Sequence, residues 1–165
     1  MKQKNRKAKP AVAEREPAIQ NGQKTVRIEL RKLLVFAHRL QKELGLGEES
    51  VAIRMITDAE MARLNETYRH KKGTTDVLSF PAETRRTPAN LKSRIRKIRG
   101  VPLGDIAISP SMAKRNARVY KRALSEELEI LILHGVLHLL GYDHETDRGE
   151  MNRTEMRLRR RLGIA

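Results

Sequence analysis

The chain contains no cysteine, so it has no disulfide framework and no thiolate to serve as nucleophile or ligand. That fits a reducing compartment. Tryptophan is absent too, and two phenylalanines and three tyrosines bring the aromatic content to only 3%. So few rings argue against a broad stacking platform for nucleobases. Acids are in short supply: 35 Lys/Arg face 20 Asp/Glu, for a net charge of +15. No apolar run is long enough to span a bilayer, since the longest, residues 128–140, is short and carries two imidazoles. The basic N-terminus lacks the apolar stretch of a secretory signal. A soluble, cytoplasmic protein with no membrane partner is the expectation.

What is present begins with size. A chain of 165 residues suits one domain with a single sizeable core. Its positive charge is gathered into three segments. Residues 1–24 hold seven Lys/Arg against two acids, a net of +5; residues 84–99 hold seven and no acid, a net of +7; residues 148–161 hold six against two, a net of +4. The rest of the chain is close to neutral. Charge confined in this way points to contact with a polyanion. The plainer alternative is a solvated, solubilising charge run. The dominance of arginine and the separation of the segments favour nucleic acid, held through phosphates and shape more than through stacked bases.

Residues 1–24 have few apolar anchors and read as a disordered basic arm. Residues 25–165 read as one folded domain. TVRIEL (25–30) alternates and is β-branched, which predicts a first strand. Residues 31–45 have helical spacing and end at Gly45. VAIRMIT (51–57) predicts a second strand, and Asp58 a cap for the helix that follows. TTDVLSFP (74–81) predicts a third strand, the basic stretch 84–99 a loop, and GDIAIS (104–109) a fourth strand. Ser109-Pro110 is an N-cap with proline in the first helical position, opening a helix to about Arg122. Ser125 is the expected cap of the next helix, which Gly141 ends. A last, arginine-rich helix runs from about Arg148 to Leu162. The class is α/β (α+β), with about five helices on a four-stranded mixed sheet. Helix 125–141 is apolar nearly all round and should lie at the centre.

That helix carries an anomaly. HGVLHLLGYDH (134–144) holds three of the five histidines of the chain. Residues four apart share a helix face, so His134 and His138 present two imidazoles one turn apart, a spacing that suits one zinc ion. Past the glycine, a returning segment can bring His144 as the third nitrogen donor. Three neutral imidazoles leave the fourth position of a tetrahedral zinc for water or substrate, as catalytic zinc requires. The competing reading is three hydrogen-bonded core histidines, but each unpaired one would cost roughly 1–3 kcal/mol. His38 and His70 show no such pattern. The spacing also matches that of metzincin proteases, except that the glutamate following the first histidine is replaced by Gly135. The frame for zinc is there and the base for peptide hydrolysis is missing.

HGVLHLLGYDH, with LNETYR (64–69), TDVLSFP (75–81) and LGDIAIS (103–109) in that order, resembles the YbeY family of bacterial endoribonucleases over roughly residues 25–162. The resemblance implies a zincin-like α/β fold and one Zn²⁺ per chain on His134, His138 and His144. It implies single-strand-specific cleavage of RNA, a role in maturing the 3′ end of 16S rRNA, and ribosome quality control, with precursor rRNA and ribosomal or small-subunit proteins as partners. It also places an arginine of RNA handling and activity on Arg69. From the residues alone, a structural ion pair is the slightly favoured reading of Arg69, and only the resemblance tips it toward RNA. Asp143 and Glu145 flank His144, and Asp143 is the candidate to orient a ligand imidazole. Arg94, Arg96, Lys97 and Arg99 in the basic loop are the candidate RNA contacts. Two other functions stay open: an RNA-binding assembly factor with a structural zinc, and a metal-dependent hydrolase of another substrate class.

Overall fold

The computed structural model describes residues 19–47, 50–82 and 102–164. Within them the chain runs β1 (Ile19–Asn21), α1 (Leu30–Leu44), β2 (Val51–Met55), α2 (Asp58–Arg69), β3 (Val77–Pro81), β4 (Gly104–Ile108), α3 (Pro110–Val119), α4 (Leu124–Leu139) and α5 (Glu150–Leu162). The sheet order is β1-β2-β4-β3. β1, β2 and β4 are parallel, whereas β3 is antiparallel to β4 at one edge. The expected mixed sheet of four strands and its five helices are present among the described residues.

The patterns behind these elements are simple. In β2, Val51, Ile53 and Met55 are buried and Ala52 and Arg54 exposed, the alternation of a half-buried strand. In α1 the buried residues are Leu33, Phe36, Ala37, Leu40, Gln41 and Leu44, one stripe at helical period. α4 is apolar over most of its surface. Leu128, Ile132, Leu133, Val136 and Leu137 are all buried in the main core, which also takes residues from α1, β2, β4 and α5. The opposite face of the sheet carries a smaller cluster of Ile56, Met61, Leu78 and Ala107 under α2.

Two expectations need correction. The first strand is Ile19–Asn21, not residues 25–30, so the sheet begins inside the segment expected to be a free arm; residues 1–18 lie outside the described residues. The reason is Gln23, which is buried. Its side-chain amide accepts the Val26 N–H (2.8 Å) and donates to the Val26 carbonyl (2.9 Å). Both backbone groups of Val26 are thereby occupied locally and cannot join a ladder. The helix starts also shift by one or two residues. Thr57, not Asp58, caps α2 through its side-chain oxygen. Ser125 lies inside α4, where the Glu126 carboxylate instead accepts the Ala123 N–H at 3.0 Å.

Asp58 has a different task. It accepts a short hydrogen bond from the Ser109 hydroxyl and pairs with Arg115 at 2.6 Å, while Ser109 caps α3 by accepting the Met112 N–H. The first turns of α2 and α3 are thus tied beside the end of β4. Burial acts to raise the Asp58 carboxyl, but the Ser109 hydrogen bond and the Arg115 guanidinium outweigh it and hold its pKa below the usual 3.8. A carboxyl depressed in the folded state adds stability above its unfolded pKa and loses it as pH falls through the folded value. Asp58→Asn should therefore lower the urea midpoint at neutral pH, and its gap from wild type should close as pH drops below 3.8. A gap that persists undiminished in strong acid would show that charge is not the source.

Candidate metal centre

α4 brings His134 and His138 to its one face that reaches a cleft, between the fully buried Leu133 and Leu137. Gly141, at φ 89°, ends the helix in a conformation that costs glycine no Cβ clash. Its N–H reaches the His138 carbonyl (2.8 Å) and the Tyr142 N–H the Leu137 carbonyl (3.0 Å), the paired closure of a Schellman turn. The chain then doubles back and delivers His144. Ring centroids are 4.7 Å apart for His134 and His138, 5.5 Å for His134 and His144, and 5.3 Å for His138 and His144. One nitrogen from each ring lies within 4.8 Å of the others.

The other ring nitrogens decide what those three can do. His138 Nδ1 sits 2.9 Å from the Tyr142 carbonyl. A carbonyl only accepts, so Nδ1 carries the proton. His134 Nδ1 sits 2.8 Å from Glu155 Oε2. Burial acts to raise the Glu155 carboxyl, but His134 and Arg159 prevail and hold its pKa below the ordinary value, so it accepts as a carboxylate. Burial, followed by the charges of His134 and His144, pushes the His138 pKa down and favours the neutral ring that ligation needs. In neutral rings protonated at Nδ1, each Nε2 is a lone pair, and the two Nε2 atoms face each other 3.1 Å apart. Two lone pairs at that separation repel unless a cation or proton lies between them. Nitrogens ~2.0–2.1 Å from a tetrahedral ion stand about 3.3 Å apart. The three histidines can hold a metal ion.

Gly135 explains the missing glutamate. A Cβ there would come within 2.9 Å of the Ile106 side chain on β4, and its carbonyl accepts the Ser79 hydroxyl of β3 at 3.0 Å. The position after the first ligand is a contact between helix and sheet. It has no room for a carboxylate.

The cleft over the histidines encloses about 1090 Å³, walled by β3, the end of α2 and the turn after Gly141. Arg69 stands in that wall, 3.5 Å from Glu145, so the structure brings it into one site with His134, His138 and His144. Asp143 does not orient a ligand ring. Its carboxylate accepts the Glu145 N–H (3.0 Å) and the Thr146 hydroxyl (3.2 Å) and thereby shapes the turn. The carboxylate on an imidazole is Glu155, supplied by α5 and fixed from behind by Arg159 at 2.6 Å. It could have been found in the sequence: Met151, Glu155, Leu158 and Leu162 form the buried stripe of α5, and an acid in such a stripe needs a partner. Arg94, Arg96, Lys97, Arg99 and the rest of the loop 84–99 lie outside the described residues. Of the third basic segment, Arg159 and Arg161 are paired with Glu155 and Glu43, while Arg153, Arg157 and Arg160 line an exposed groove on α5. His38 is exposed, and His70 closes α2 in the left-handed conformation.

A sequence profile described as Endoribonuclease YbeY matches residues 18–163. The chain is 44% identical over 129 residues to the Endoribonuclease YbeY of Solibacter usitatus, covering 78% of this chain and 76% of that one. With the protein of that name from Sulfurovum sp. it shares 37% identity over 146 residues, 87% and 89% of the two chains. The solution structure of a Thermotoga maritima protein superposes with a TM-score of 0.57 at 24% identity, covering 87% of this chain and 88% of that one, a likeness of fold.

The roles of the two carboxylates can be separated by metal titration. Glu155→Gln should weaken metal affinity by roughly 10–100-fold, the usual effect of losing a carboxylate that orients a ligand imidazole. Asp143→Asn should change it far less. Equal losses in the two variants would mean that the turn, and not Glu155, governs the site.

Proposed function

The chain belongs to the endoribonuclease YbeY family, and on that premise we propose that it is a zinc-dependent endoribonuclease that cuts single-stranded RNA, acting in 3′-end maturation of 16S rRNA and in ribosome quality control. The observation that carries the reading is the trio of imidazoles with Arg69 in one open cleft. Precursor 16S rRNA is the substrate, ribosomal or small-subunit proteins are the partners, and the cytoplasm is the setting. Net charge supports a polyanionic substrate.

His134, His138 and His144 would hold the zinc, an ion well served by neutral nitrogen donors. Bound there, it supplies Lewis-acid polarisation of the phosphate and a water acidic enough to act near neutral pH. Glu155 and the Tyr142 carbonyl keep the rings turned toward the cleft. Arg69 meets the phosphoryl oxygens. Its contact with Glu145 is long, and the two side chains are 43% and 57% exposed. Such an ion pair contributes at most about 1 kcal/mol to stability, so the planar guanidinium is free to exchange Glu145 for a phosphate. Three ligands and an open cleft, among the described residues, speak against a closed structural zinc. The Ile106 contact at Gly135 speaks against the usual route of peptide hydrolysis.

Wild type, His138→Ala and Arg69→Glu should be compared on single-stranded RNA with and without a chelator. Both variants should lose cleavage by at least about 100-fold, the scale of a lost electrostatic contact in a transition state, and Arg69→Glu should keep its metal. Equal cleavage by all three proteins would expose a contaminating nuclease and end the proposal. Removing residues 1–17, which leaves β1 whole, should weaken RNA binding and flatten its dependence on salt. An unchanged salt slope would remove the arm from RNA binding.

A further inference from the structure

The chain has five aromatic side chains of the Phe and Tyr types, and their placement is uneven. Phe36 is buried in the core, and Tyr142, also buried, reaches the cleft only from the turn after Gly141. Tyr120 lies at the end of α3 under the Arg122 guanidinium, 4.9 Å from its ring centre. The other two, Tyr68 and Phe80, both line the cleft of the metal centre. They meet edge to face, with centroids 5.1 Å apart and planes at 75°.

Tyr68 is 63% exposed and Tyr120 61%, but of these two only Tyr68 lines the cleft of the histidines. α2 does not need it as an anchor. The buried residues of that helix are Met61 and Asn65, with Leu64 packed against the same small cluster. Phe80 is partly buried in that cluster, so it gives Tyr68 a rigid backstop while most of the Tyr68 surface stays open. The next residue is Arg69, in the same cleft. An apolar face and a phosphate-binding fork on consecutive residues match the two halves of a nucleotide.

We propose that Tyr68, braced by Phe80, is a stacking subsite for one unpaired nucleobase of the RNA, seated beside the phosphate held by Arg69. The subsite rests on reading the cleft as an RNA site, and it gives that reading a physical source of strand selectivity. A base in a duplex already has neighbours on both faces and cannot offer one to Tyr68. An unpaired base can, whatever its identity, because every base has a π-face. One ring in the cleft suffices for this, so the low aromatic content of the chain is no obstacle.

The test compares Tyr68→Leu and Tyr68→Phe with wild type on a single-stranded oligonucleotide and on a hairpin carrying the same sequence in its stem. Tyr68→Leu should raise KM for the single strand by about 5- to 150-fold, the range of one lost base–aromatic stack, with a smaller change in kcat. Its preference for single strand over stem should shrink in step. Tyr68→Phe keeps the ring and should behave as wild type. An unchanged KM and an unchanged strand preference in Tyr68→Leu, with metal content retained, would overturn the subsite while leaving the nuclease reading intact. Fluorescence of 2-aminopurine placed along the oligonucleotide is a readout that needs no cleavage. Quenching at one position by wild type and Tyr68→Phe, lost in Tyr68→Leu, supports the stack even if no RNA is cut. Equal quenching by all three proteins, or quenching by none, sinks it.

Discussion

The facing of the two helical imidazoles depends on two hydrogen bonds that point away from the cleft. The Tyr142 carbonyl and the Glu155 carboxylate take the Nδ1 protons of His138 and His134, and this turns both Nε2 lone pairs inward to face each other at 3.1 Å. Without those acceptors each ring could flip or change tautomer. With them, both Nε2 atoms are set where a single electrophile can be shared between the two rings. Ligand geometry is then a property of the fold and not of the ion. The acceptors come from two different places, the turn that ends α4 and the inner face of α5, so the packing of α5 on α4 helps set the orientation of rings that can hold a metal ion.

That packing in turn depends on α4 being buried. A helix apolar on nearly every side must lie between layers, and here it lies between the sheet and the other helices of the main core. Close approach to the sheet is possible because Gly135 has no side chain where Ile106 presses in. The same glycine removes the acid that a peptidase of related spacing would use. One contact therefore sets both how deep the helix sits and which chemistry is closed to it.

Some of this was legible in the residues. Histidines four apart on an apolar helix, a glycine, and a third histidine shortly after constitute a local pattern, and local patterns survive folding well. What could not be read was set by partners distant in sequence. Glu155 reaches His134 only because α5 folds back across α4, and Asp143 looked like the better candidate because it adjoins a ligand; its oxygens are consumed by the turn it stands in. The alternating segment 25–30 reads as a strand on propensity, yet the Gln23 side chain takes the backbone groups of Val26 and leaves the place beside β2 to Ile19–Asn21. Aromatic content is silent in another way: five rings are too few for a broad surface, but content says nothing of location, and Tyr68 and Phe80 meet in the cleft of the histidines.

The three histidines that can hold a metal ion fall within residues 134–144, and this compactness carries over to the denatured ensemble. Spacings of four and six residues close small loops at little entropic cost, so an unfolded chain can still chelate with the same imidazoles, at lower affinity. Ions that bind both states stabilise the native one only by the difference between the two affinities. The rise in melting temperature on loading should then fall short of what the dissociation constant of the folded protein implies, and the shortfall measures how much of the grip belongs to local sequence and how much to Glu155 reaching in from α5.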